Sequence, residues 1–561
     1  MEQHNNNEDY ILERSVHKIS FTLTLFDEHL PLYRFRREPK RLDEIDWRKY
    51  DTISIWRENE TLICVSTCAF DKYYAPNICF TLENVGSYTL QCAIYRRKYE
   101  NLRDTATFFW SLQHPPGVNA ELRVGLYGKA SKYDATDLHT DQLVQVVDSN
   151  PTRCLNLQSG CLCEHPSVGL ASRPQPLNLK FTTSFGQTTV WGDRSNPGFR
   201  FYDKGTAFVN ALEQRQSSFG SLSFDFAYEY FRGIVMPFSA SNLERLLKLS
   251  IFDKLSSTRL EEKFNFPMLS CEVNALDFEF VAGYYEPKDF ASLNIAAKDL
   301  RIKLFLDRVD KWDGLLIAFF ERIAELGHFE RLDFSVDFFY LPDESMEAYT
   351  CEDVANVAEA LLCVIVGNPK LTYLNLGRTH WRLDWAPHLG YLFDIMEDHK
   401  ALRTVCVREY PPEGCSEDEE AEHYRWLEQL LTRNRNIEII DVAGQRITNG
   451  SSIDKLYALN RIYVGSSLLM KDSAPLRPCL VATALTESVL GSFQHTALIV
   501  SNHADILFEF LHDLDIESLL IETEKREETK ASEPCTEESN QTDPMKRKAS
   551  NDEPESNKRI S

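Results

Sequence analysis

Val354 to Val366 carries apolar residues at helical spacing, and Leu371, Leu374 and Leu376 then mark one short buried strand. Gly367-Asn368-Pro369 separates the two periods. Proline lacks an N–H and disfavours helical backbone in the residue before it, so the helix must stop there. A helix folded back on one strand cannot bury its apolar face alone, and the unit therefore predicts a stack of copies. Sextets with apolar residues at positions one, four and six do recur. They are Phe219/Leu222/Phe224, Val273/Leu276/Phe278, Phe329/Leu332/Phe334, Leu371/Leu374/Leu376, Leu402/Val405/Val407 and Ile437/Ile440/Val442, with weaker forms at Phe252/Leu255 and Leu300/Ile302/Leu304. Amphipathic stripes at Trp312–Leu326, His388–Met396 and His423–Leu431 precede the later ones. The unit begins earlier: Leu143–Val147 reads as helix, Asp148-Ser149-Asn150-Pro151 ends it, and Leu155-Asn156-Leu157 follows as strand.

The flanks read differently. Phe21–Phe26, Thr52–Trp56, Thr61–Val65, Tyr88–Tyr95 and Leu122–Leu126 alternate β-branched and aromatic residues between turns, which predicts a small antiparallel sandwich or barrel. Basic clusters within it, Arg34/Arg36/Arg37/Lys40/Arg41 and Arg96/Arg97/Lys98, read as solvated sheet edges and loops. Val481–Leu490 and Thr496–Leu511 are apolar-rich helices, expected to cover the open end of the stack. From Glu522 onward the chain is rich in Glu, Lys, Ser and Thr without aromatics, too polar to fold. The expected organisation is a disordered 1–10, a β-rich module at 11–135, the repeated array at 136–450, a helical cap at 451–520 and a disordered acidic tail at 521–561.

Asn368-Pro369-Lys370-Leu371-Thr372-Tyr373-Leu374-Asn375-Leu376-Gly377 resembles the leucine-rich repeat of the ribonuclease-inhibitor type, and Asn434 to Ile447 looks like another copy. The resemblance spans Asp137 to Ile447 and implies an α/β fold, an irregular leucine-rich-repeat solenoid whose parallel strands line a concave face. Where that family usually sets an asparagine after the last strand leucine, this chain has Asp337, Thr379, Tyr410 and Gln445. The expected array is thus uneven, with its turns stitched in some other way. The resemblance also implies a rigid platform for a protein partner, contacted by Arg331, Asp333, Thr372, Tyr373, Asn375, Arg403, Thr404, Glu438, Ile439 and Asp441.

Composition narrows the chemistry. A formal charge of −24 over 561 residues argues against a general nucleic-acid binder, since phosphate affinity rests on Lys and Arg. Fourteen scattered cysteines fit reduced thiols rather than a disulfide framework. No run approaches the ~18 apolar residues needed to span a bilayer, and the polar start is no secretory signal. An intracellular soluble protein, nuclear or cytoplasmic, is expected. Gly125 to Ser131 lacks the first glycine and the Ser/Thr of a phosphate loop, so no nucleotide cofactor is expected. Cys154, Cys161, Cys163 and His165 match no zinc spacing and read as buried structural thiols. His503, His512, Asp513 and Asp515 read as a polar helix end, and Ser416–Glu420 as an acidic helix cap. No nucleophile elbow occurs. Lys546-Arg547-Lys548 and Lys558-Arg559 resemble a bipartite nuclear import signal of the kind an import receptor reads, and Arg547-Lys548-Ala549-Ser550 resembles a basophilic kinase site. A non-enzymatic interaction scaffold is the expected function. Two rivals are an enzyme with its site in or beside the N-terminal β module, and a substrate-recognition adaptor of a ubiquitin-ligase type complex.

Overall fold

A computed structural model describes residues 11–513 apart from 16–30, 68–77, 126–137, 183–197, 307–311, 339–350, 378–384, 470–476, 486–492 and some shorter breaks. The strand expected at Phe21–Phe26, the Gly125–Ser131 loop beyond Gly125, and the tail with Lys546, Arg547, Lys548, Lys558 and Arg559 lie outside the described residues. The chain divides into two compact units, Met1–Asn460 and Arg461–Ser561.

The first unit is built on one 17-stranded sheet that does not close into a barrel. Its first seven strands are β1 (Leu12–Arg14), β2 (Leu32–Phe35), β3 (Thr52–Arg57), β4 (Thr61–Ser66), β5 (Ile78–Val85), β6 (Tyr88–Arg96) and β7 (Glu121–Val124). They pair antiparallel except at β2–β3. From β7 every further strand adds in parallel and in chain order. These are β8 (Cys154–Leu157), β9 (Leu177–Thr182), β10 (Gly220–Asp225), β11 (Phe252–Ser257), β12 (Ala275–Val281), β13 (Asp299–Leu306), β14 (Arg331–Phe338), β15 (Tyr373–Asn375), β16 (Thr404–Cys406) and β17 (Glu438–Ile440). The β-rich N-terminal stretch is therefore no separate sandwich: β7 joins it to the parallel strands edge to edge.

Register explains why this order holds. Leu122, Leu155, Leu179, Leu222, Leu255, Leu276, Leu300, Leu332, Leu374, Val405 and Ile439 are successive cross-strand partners, one aliphatic row across eleven strands. All are buried. A second row places Phe181 beside Phe224 and, after Ser257, Phe278, Ile302 and Phe334. Burying each such side chain contributes roughly 1.5–3 kcal/mol, and a one-residue slip would turn a whole strand's set toward solvent. The last repeat differs from the expected frame. Ile439, not Ile440, pairs with Val405, and Val442 is 60% exposed. One residue fewer separates Ile437 from the strand, so the Ile437/Ile440/Val442 spacing does not describe the core here.

The helices that cover the inward side include α1 (Tyr99–Trp110), α2 (Thr140–Asp148), α3 (Glu164–Ser172), α4 (Thr206–Glu213) and α5 (Ala240–Leu246). After the short α6 (Asn265–Leu269) and α7 (Pro287–Phe290) come α8 (Trp312–Leu326), α9 (Cys351–Gly367), α10 (Leu389–Glu397), α11 (Glu417–Arg433) and α12 (Ser452–Leu469). Each helix leaves its last carbonyls without intrahelical partners. The next unit supplies them. Asn150 Nδ2 donates to Leu112 O at 3.1 Å, and its Oδ1 accepts from His114 N at 3.0 Å. Asn368 donates to Ile323 O (3.3 Å) and accepts from Phe329 N (3.1 Å). Asn434 donates to Met396 O (2.8 Å) and His399 O (3.1 Å), and Asn460 to Leu431 O (2.8 Å). After α4, Arg215 does the same work, donating to Ala171 O at 3.0 Å. The stitching asparagine thus stands at the helix end, not after the strand. Close approach of α8 and α9 needs Gly367, where a Cβ would sit 2.6 Å from Ala324 O. Ser416 and Glu419 form the capping box that starts α11, with acidic residues filling its first turn.

The C-terminal edge is covered locally. Ile447 N donates to Ile439 O at 3.0 Å, and the Tyr457 hydroxyl bonds both Ile439 N and O at 3.3 Å. That removes an open edge strand. In the second unit, α13 (Phe493–Asn502) and α14 (Ala504–Asp513) bury Ile499 and Ile506 with Val481. His503 there is fully buried at the helix junction beside Arg477 (3.2 Å), which also pairs with Asp505 (2.8 Å), and burial first, then Arg477, holds the His503 pKa down.

Two substitutions test the fold. Leu332→Ala is expected to cost about 2–5 kcal/mol, and Asn368→Ala about 3 kcal/mol by orphaning buried backbone groups. Ser256→Ala, on the opposite face, is expected to stay within about 0.5 kcal/mol. Urea unfolding of the three variants checks this; equal effects from all three would contradict it.

Candidate functional site

Side chains alternate across a strand, so the residues between the inward leucines share the other face of the sheet. On three adjacent strands they read Asp277 and Glu279 on β12, Arg301 and Lys303 on β13, then Asp333, Ser335 and Asp337 on β14. Register sets Asp277, Arg301 and Asp333 in one row and Glu279, Lys303 and Ser335 in the next. Opposite charges therefore meet across strands. Arg301 Nε lies 2.9 Å from Asp333 Oδ2, and Arg301 Nη1 lies 3.7 Å from Asp277. Lys254 on β11 reaches Asp277 at 3.6 Å, Lys303 reaches Asp337 at 3.4 Å, and Lys180 on β9 reaches Asp225 on β10 at 3.2 Å.

Lys180, Asp225, Asp277, Glu279, Arg301, Lys303, Asp333 and Ser335 line a groove of about 480 Å³ together with Ser223, Ser256, Ser257 and Thr258. A smaller recess of about 80 Å³ continues it past Asp299, Arg331 and Tyr373. The Arg331 guanidinium stacks 4.1 Å over the Tyr373 ring and lies 3.5 Å from Asp299. Burial, with Asp333 and Cys406 nearby, pushes the Tyr373 phenol up. Burial also raises the half-buried Glu279 carboxyl, with Asp277 and Asp225 adding to it and Lys303 and Arg259 opposing it. The carboxylate of Asp333 is only 4% exposed, and neither oxygen accepts an aligned hydrogen bond although Arg301 is near.

The expected partner-contact residues divide. Arg331, Asp333 and Tyr373 come together in the groove and its recess. Arg403 and Thr404 lie further along, where Arg403 Nη1 donates to Lys400 O at 2.7 Å, and Glu438 pairs with Arg446. Others are committed to the fold. Thr372 Oγ1 donates to Glu330 O (2.8 Å), Asn375 Oδ1 accepts from Gly377 N (2.9 Å), and Asp441 Oδ1 accepts from Ala443 N and Gln445 N (2.8 Å each). Three corrections to exposure follow. Ile439 is fully buried because its strand register turns it into the core, and Asn375 and Asp333 are each 4% exposed, walled in by neighbouring strands. Lys180, Asp225, Asp277, Glu279, Arg301 and Lys303 were missed. The signal was present as Leu-Asp-Phe-Glu-Phe at 276–280 and Leu-Arg-Ile-Lys-Leu at 300–304, acidic then basic between core residues.

The cysteines near β8 are not uniformly buried: Cys163 is exposed and Cys161 half-buried, while burial pushes the Cys154 thiol up to about 12. Among the described residues no group of three His, Cys, Asp or Glu is arranged to hold a metal ion, and no helix is long and apolar enough to cross a membrane. Comparison with protein-family models, curated proteins and solved structures finds nothing similar to this chain.

Glu279 yields a pH test. A carboxyl raised in the folded state favours folding below its unfolded value and loses that contribution as pH climbs through the folded one. Glu279→Gln is therefore expected to melt at or above the parent temperature at neutral pH, with the difference shrinking toward about pH 4. A lower melting temperature at neutral pH would contradict the burial of this charge.

Proposed function

We propose that residues 136–450 form an irregular leucine-rich-repeat-like array whose outward strand face binds a protein partner without catalysing a reaction. The observation that carries this reading is the charge row Asp277–Arg301–Asp333, set in register over three strands and lining an open groove, with Lys254 of the neighbouring strand reaching Asp277. Ion pairs this exposed contribute only about 0–1 kcal/mol each, whereas the buried leucine row contributes several-fold more per strand. Stability alone thus gives little reason to fill these positions with long charged side chains rather than with small polar ones. A face of fixed, alternating charge instead confers register and selectivity on an encounter with another polar surface. The parallel strands beneath hold the groups rigidly, which limits the ordering cost of binding.

Site-specific photo-crosslinking in cells tests the reading. A crosslinker at Ser256, in the groove, is expected to capture a discrete partner that one at Tyr391, exposed on α10, does not. Tyr373→Ala combined with Arg403→Glu is expected to weaken that capture. Equal adducts from both positions would overturn the assignment of the face.

A further inference from the structure

The groove has a low point over one strand. Register aligns Ser223, Ser256 and Asp277, and Asp225, Thr258 and Glu279 each stand one residue past the last paired row, Phe224, Ser257 and Phe278. Carboxylates from β10 and β12 thus stand on either side of β11, and the segment between them lines the groove with hydroxyls, at Ser256, Ser257 and Thr258. Each cation lining the groove already has a carboxylate near it: Lys180 lies by Asp225 (3.2 Å), Lys303 by Asp337 (3.4 Å), and Arg301 is shared between Asp333 (2.9 Å) and Asp277 (3.7 Å). Glu279 has no cation within 4.0 Å among the described residues, and the lining carries four carboxylates against three cations.

A second, independent feature points the same way. Asp333, more than nine-tenths buried and lining the same groove, has two carboxylate oxygens that accept no hydrogen bond. A buried carboxylate left in that state is costly unless a donor completes it. Arg301 does not complete it, because its guanidinium is shared with Asp277 and is not aligned on either oxygen.

We propose that the groove receives a basic side chain, a lysine ammonium or arginine guanidinium presented by an extended segment of the protein partner, seated over Ser256 and Thr258 against Glu279, with Asp333 accepting a second donor of the same segment. This rests on the interaction-face reading above and names its ligand chemistry. The strands β11 and β14 are three ladder steps apart, about 14 Å, which an extended chain covers in roughly four residues. The two donors are therefore expected about four residues apart. The ammonium or guanidinium makes charge-assisted hydrogen bonds to the carboxylate and to the serine and threonine hydroxyls, with no covalent step. Lowering the pH protonates Glu279 ahead of an ordinary carboxyl, so the seat weakens on mild acidification.

The test uses the full chain and fluorescein-labelled octapeptides that differ only at one central residue, Lys, Arg, Gln or Glu, read by anisotropy. The Lys and Arg peptides are expected to bind about tenfold tighter than the Gln peptide. Glu279→Gln and Asp333→Asn are each expected to remove most of that preference. Glu417→Gln with Asp418→Asn, which removes two charges at the start of α11, is expected to change it less than about twofold, since surface charge acts weakly at a distance in salt. Equal loss in that control, or no Lys preference, overturns the cation seat. If all four peptides bind alike and Ser256→Trp abolishes them, the face still binds but the seat is wrong. If no peptide is bound or Ser256→Trp changes nothing, the seat is rejected, and the crosslinking result alone then decides the broader reading.

Discussion

Everything in the first unit hangs on one row of aliphatic side chains, running from Leu122 through Leu255 and Leu332 to Ile439 across eleven parallel strands. No single helix–strand unit encloses a core, so each strand is stable only while its neighbours are in register. The row fixes that register, because slipping by one residue exchanges an aliphatic for a charge such as Asp277 or Arg301. Helix ends then lock the spacing between units. A carbonyl such as Ile323 O, buried between units, loses about 1–3 kcal/mol if left bare, and Asn368 from the following unit removes that loss. The same device at Asn150 and Asn434 makes it a rule of this chain rather than an accident of one junction.

Because stability is settled on the inward face, the outward face is free to carry charge. The alternation of two faces on one strand lets Leu276 and Phe278 hold the core while Asp277 and Glu279 line the groove. Their ion pairs are too exposed to matter much for folding. Asp333 is a charged residue that departs from this separation, on the same face as the buried Asn156 and Asn375. Burying a carboxylate there carries an electrostatic cost.

Much of the parallel stretch was legible in the chain itself, because apolar spacing reports directly which side of a strand faces the core. Phe219, Leu276, Leu332 and Leu374 are core residues for that reason. The misreading at Ile437–Val442 has a local cause: in a run of three isoleucines around Glu438, two frames fit the pattern, and only pairing with Val405 selects Ile439. Cross-strand relations were harder. Nothing in one sequence says that Asp277, Arg301 and Asp333 become neighbours, since 24 and 32 residues separate them along the chain. The N-terminal strands carry the right alternation for a sandwich, and their fusion to the parallel sheet at β7 leaves no mark on composition. The stitching asparagines stood in plain view in Asn150-Pro151, Asn368-Pro369 and Asn434, but read as helix stops rather than as ties.

The order of the strands is the claim on which the core, the groove and its proposed occupant all depend. Nitroxide pairs at Ser221 and Thr404, on the outward face six ladder steps apart, measure it by electron–electron double resonance. A single narrow distance near 25–30 Å is expected, from about 4.8 Å per strand step, and a pair at Ser221 and Asp299 should lie at about half that. A broad distribution, or a Ser221–Thr404 distance no longer than the Ser221–Asp299 one, would contradict a sheet assembled in chain order.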